Sequence, residues 1–147
     1  MSLVKEIYDV TKDLAGNKIA LNKIRRALLT EVKLNDKFLW DVSDPENRPG
    51  KERLIQMIGN LDVTEMKAAI TCGLPFELIS GRKVDLEMLK NIDHVKALDA
   101  DLEAVLEKTY LKIAYLKKDY NSESLNLYVR MRNIYNYNKL LNRLLTK

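Results

Sequence analysis

The longest unbroken apolar periodicity of the chain lies in its last third, and it restricts the fold more than any other feature. Val95, Leu98, Leu102, Val105, Leu106, Ile113, Leu116 and Tyr120 keep to one stripe at helical spacing. Leu127, Met131, Ile134, Leu141 and Leu145 form a second stripe beyond the polar turn NSES, Asn121 to Ser124. The pattern predicts two helices, over 93–120 and 122–146, each roughly 40 Å long. A joint this short makes them antiparallel neighbours.

The N-terminal third supplies a further rod. Ser2 is placed to cap a helix whose apolar face is Leu3, Ile7, Val10 and Leu14. Gly16-Asn17 reads as a stop and restart, yet Leu14, Leu21, Leu28, Val32 and Leu39 hold one phase through it. Two forms are therefore open: a helix over 17–42 with residues 1–16 as a separate helical arm, or one helix over 3–42. The loop SDPENRPG, residues 43–50, ends either one. Shorter apolar patterns follow in KERLIQMIGNL, EMKAAIT, PFELIS and the stretch after Asp85, predicting accessory helices from 51 to 92.

With 46% apolar residues, five glycines and three prolines in 147 residues, the chain has little turn material for an all-β fold. The expected fold is all-α: one domain over 1–147, an antiparallel bundle of three long helices with short accessory helices. No signal segment and no run of about 18 apolar residues occurs, so a cytoplasmic protein without a membrane span is expected. The single Cys72, in apolar surroundings, reads as a buried, inert thiol.

Catalytic chemistry finds few materials. His94 is the only histidine; this leaves no route to a bundle di-iron site or to a zinc site with several imidazoles. Asp99, Glu103 and Glu107 recur every four residues and read as a solvated face, and SGRKVD lacks the glycine spacing of a phosphate loop. No cofactor is expected.

Charge is unevenly spread. Net charge is +3 over 1–35, −6 over 36–107 and +7 over 108–147. On the last helix Arg132, Lys139, Arg143 and Lys147 fall about 120° to 200° from Leu127, with Tyr128 and Tyr135 beside the apolar stripe. Together they form a candidate polyanion-binding face. Asn35, Thr109 and Asn138 interrupt the apolar stripes of the three long helices, which predicts a buried polar layer that fixes register. Leu3, Ile7, Val10 and Leu14 are a candidate interface if the arm outruns the bundle. The functional expectation is a non-enzymatic protein-interaction or oligomerisation module with a protein partner or a second copy, and nucleic-acid binding through the basic C-terminal helix is the alternative.

Overall fold

The side chain of Asn126 accepts the Val129 N–H and so starts the C-terminal helix, α7 (Leu127–Leu145). Apolar residues occupy α7 on more than one stripe. Leu127, Met131, Ile134, Leu140, Leu141, Leu144 and Leu145 are all buried, and so are Tyr128, Tyr135 and Tyr137. Buried apolar residues thus surround most of the helix, leaving an arc with Arg132, Asn136, Lys139 and Arg143, and α7 is the axis of the molecule. The computed structural model describes residues 1–121 and 126–146. All regular structure among them is helical.

Before α7 come α1 (Leu3–Val10), α2 (Lys18–Phe38), a 3₁₀ turn (Trp40–Val42), α3 (Lys51–Asn60), α4 (Thr64–Cys72), α5 (Phe76–Ile79) and α6 (Leu102–Asp119). Helices α2 and α6 pack on α7. Asn138 of α7 lies beside Val32 while Arg132 lies beside Val42, so α7 runs opposite to α2. Its sense is opposite to that of α6 as well: Lys112 sits over the Tyr137 ring and Arg130 over that of Tyr115. No helix among the described residues is long and apolar enough to cross a membrane.

Of the two N-terminal forms, the interrupted one is adopted. The chain leaves helical geometry at Thr11, and Asn17 restarts it by accepting the Ala20 N–H. The local cap outweighs the continuous apolar phase. Gly16 fits here because a Cβ would stand 2.8 Å from the Asp13 carboxylate, which accepts the Gly16 N–H. Helix α1 does not project. It packs on α2 and α4, with Val4 fully buried and Ile7 and Leu14 against the core.

A second difference concerns 85–101. The predicted helix over 93–120 begins only at Leu102, capped by Asp101, and the expected helix after Asp85 is a series of turns. Asn91, His94 and Asp99 take left-handed backbone angles, φ 64°, 59° and 66°, which no α-helix admits. Side chains of α7 hold this segment. Asn136 and Asn133 donate to the carbonyls of Asp93 and His94, and Arg143 donates to those of Met88 and Lys90. Backbone bonds Val84 N–H to Ala100 and Asp99 N–H to Val84, both 2.9 Å, close it into a loop. The expected start of the last helix at Ser122 and most of the NSES turn lie outside the described residues.

The core divides in two. One cluster joins α1, α4, α5 and the 84–97 segment to the N-terminal parts of α2 and α6 and the C-terminal part of α7. The other joins Leu39, Val42 and α3 to the opposite ends of α6 and α7. Asn35, Thr109 and Asn138 are fully buried; along their helices Asn35 and Thr109 fall between the two clusters, and Asn138 lies at the edge of the first, beside Tyr137. They do not bond one another. The Thr109 hydroxyl donates to Val105 O, the Asn138 amide to Val32 O, and Asn35 exchanges two bonds with the backbone of Asp62, at 2.7 and 2.9 Å.

Because Arg143 ties the irregular segment to α7, Arg143→Met, which keeps the apolar stem, is expected to lower stability by about 1–3 kcal/mol in urea titrations. Amide exchange should quicken between residues 84 and 100. Unchanged exchange there would show that the bonds to Met88 and Lys90 do not hold the segment.

Candidate docking groove

Helix α4 opens on Val63, whose side chain cannot accept a hydrogen bond, so its first N–H groups need acceptors from elsewhere. Glu31 of α2 provides them. Its two carboxylate oxygens accept the Glu65 and Met66 N–H groups at 2.8 and 2.9 Å. Asp62 accepts both the N–H and the hydroxyl of Thr64, while its own backbone is held by Asn35. Glu65, now fixed at the start of α4, accepts the N–H groups of Leu3 and Val4 and the hydroxyl of Ser2. One acid thus caps α4, and α4 carries the acid that caps α1.

This relay stands α1 beside α2 with an open groove of about 790 Å³ between them. Leu3, Ile7, Ala27 and Leu34 give the groove its apolar lining, Lys23 and Arg26 rise from α2, and Glu31, Asp62 and Glu65 lie at the α4 end. Leu3 and Leu34 are 49% and 47% exposed. Ile7 faces the groove from α1, Leu14 packs on the core below, and Val10 points to solvent.

Glu31 is only 6% exposed, and loss of hydration pushes its carboxyl up to about 7, against the pull of two N–H bonds and with Asp62 and Glu65 adding repulsion. Asp62 is shifted the other way, lowered chiefly by the Thr64 hydroxyl bond. Among the described residues no group of three or more His, Cys, Asp or Glu is placed to hold a metal ion. Cys72 is half-buried against the larger cluster.

The sequence-derived polyanion face is placed differently from an open surface. Arg132 donates to Val42 and Ser43 carbonyls, at 2.6 and 3.1 Å, and Arg143 to those of Met88 and Lys90. Tyr128 and Tyr135 are buried, the first under the Arg48 guanidinium at 4.4 Å, the second with Lys139 at 5.2 Å. Lys147 lies outside the described residues. Helix α7 is covered on much of the side that a simple stripe leaves outward, and two of its cations, Arg132 and Arg143, serve loop carbonyls.

The groove residues Glu31, Glu65, Lys23, Arg26 and Leu34 escaped the sequence reading. A signal existed for Glu31, an acid between Leu28 and Val32 on the apolar side of α2. For Glu65 there was none, because its partners lie more than 60 residues away. Comparison with protein-family models, curated proteins and solved structures finds no match to this chain.

Glu31 generates a pH dependence with a definite sign. Its folded pKa lies above the ordinary 4.5, so the native state binds more protons across the window from 4.5 to about 7. Stability from this group is present below pH 4.5 and is lost as pH rises to about 7, at most roughly 3 kcal/mol. Glu31→Gln is expected to remove that part of the slope while losing one N–H cap, about 1 kcal/mol. Urea midpoints from pH 5 to 8 that fall equally in both proteins would contradict it.

Proposed function

We propose that this chain is a non-enzymatic, cytoplasmic protein-interaction module that receives a segment of a protein partner in the α1–α2 groove. The observation that carries the reading is the groove itself. It keeps Leu3 and Leu34 half in solvent although carboxylate bonds hold its frame, Glu65 to the start of α1 and the buried Glu31 of α2 to the start of α4. Apolar side chains held open by a rigid frame suit a protein surface, since covering them removes apolar area from water without reordering the domain. The volume is of the size that takes several side chains.

The same frame supports a protein partner over a nucleic acid bound at α7. Two of the α7 cations that would meet phosphates, Arg132 and Arg143, already donate to Val42, Ser43, Met88 and Lys90 carbonyls, and stacking would need the buried rings of Tyr128 and Tyr135.

A photo-crosslinking amino acid at Leu34, with Lys118 as the control position, tests the reading in the native host. An adduct from position 34 that disappears with Leu3→Asp is expected. Its mass identifies a second copy of the 17.0 kDa chain or a different protein. No protein adduct from position 34 in well-expressed, folded chain would remove the proposal.

A further inference from the structure

We infer that the segment taken by the groove is an acidic amphipathic α-helix held along the outer face of α2, an inference that rests on the protein-interaction reading above. On α2, Ile19, Lys23, Arg26, Lys33, Leu34 and Lys37 lie within about 100° of the helix circumference and span roughly 27 Å. All six are exposed, Ile19 by 71% and Leu34 by 47%. The stripe contains no carboxylate. The two ion pairs among the described residues, Lys5–Asp9 and Arg53–Asp41, lie elsewhere.

The acids at the α4 end of the groove do not cancel this charge. Glu31, Asp62 and Glu65 each accept at least two hydrogen bonds from their own chain, from the N–H groups and hydroxyls that begin α1 and α4. Their charge is directed into helix N-termini. Among the described residues the four cations of the stripe, Lys23, Arg26, Lys33 and Lys37, have no such engagement, and Ile19, Leu34 and the apolar groove along one edge lie beside them.

A complementary surface therefore brings carboxylates recurring every three to four residues beside a row of Leu- or Ile-like side chains. A helix of about five turns lying along α2 meets both requirements over the stripe's length. Phosphate backbones match only half of this surface, because Leu3, Ile7, Ile19 and Leu34 offer them nothing and the stripe has no aromatic ring for base stacking. An anionic bilayer matches the cations but is too flat to reach Ile7 inside the groove.

The test sorts a displayed library of helical peptides, randomised at surface positions, against the whole chain. The selected helices are expected to carry Asp or Glu flanking aliphatic residues. Lys23→Glu/Arg26→Glu and, separately, Lys33→Glu/Lys37→Glu should weaken the selected peptides at least about tenfold, while Lys118→Glu leaves them unchanged. Sorting the same library on the first variant should return Lys and Arg in place of acids. These side chains are exposed, and circular dichroism melts verify that the variants fold. Selection of neutral or basic helices that still depend on Leu34 would overturn the charge inference and leave the groove reading in place. No selected helix sensitive to Leu34→Asp would overturn both. Tighter binding of duplex DNA or phosphatidylserine vesicles than of any selected helix, at 0.15 M salt, would also overturn the inference.

Discussion

Short helices are mostly ends, and this fold depends on how its helix ends are satisfied. A helix of about eight residues leaves as many backbone groups unpaired as it pairs. Here the missing partners arrive from distant charged side chains. Glu31 and Glu65 serve the starts of α4 and α1. Lys117 serves the carbonyls at the end of α3, Arg82 those at the end of α7, and Arg132 those of the 3₁₀ turn. Charge is matched to backbone dipoles rather than to opposite charge, and the two ion pairs among the described residues are exposed ones of the kind that contribute little. The acidic middle and the basic end of the chain thus need not face each other.

The groove follows from the same arrangement. Were α1 held by apolar contact alone, its position would slide with whichever side chains packed best. Bonds from Glu65 to Leu3 and Val4 fix it along the α4 axis, and Val4 fixes its rotation. Glu31 is buried with an elevated pKa because it serves a helix start from inside the core. Its ionisation state, its cap and the placement of α1 are three aspects of one contact network.

Much of the fold was legible in the sequence because it is written in local pattern. The all-α class, the polar loop at 43–50, the cap Ser2 and the body of α7 follow from spacing and residue type. Gly16 was ambiguous because apolar phase and local capping disagree there, and the cap prevailed. The region 85–101 was misread as helix because its apolar spacing is helical, while the bonds that make it irregular come from Asn133, Asn136 and Arg143, some 40 to 55 positions later. The asparagines of α7 are the readable trace of that role: amide donors on a covered helix face are suited to carbonyls that lack helical partners. The outer stripe of α2 was equally readable as a pattern. Its meaning depended on knowing that Arg132 and Arg143, two of the more conspicuous cations of α7, were already engaged.

Helix α7 contributes to both apolar clusters, and every other long element packs on it. During synthesis it is made after all of them. Until it emerges, the faces of α2 and α6 that pack on it are uncovered, Val32 and Val42 lack the side-chain donors that later meet their carbonyls, and the 85–101 segment lacks its bonds from Asn133, Asn136 and Arg143. The α7 contributions to both clusters therefore form only after α1 to α6 have been made. The contacts of α7 then join residues about 90 to 106 positions apart, as in Arg132 to Val42 and Asn138 to Val32, the non-local kind whose loop closure comes before its reward.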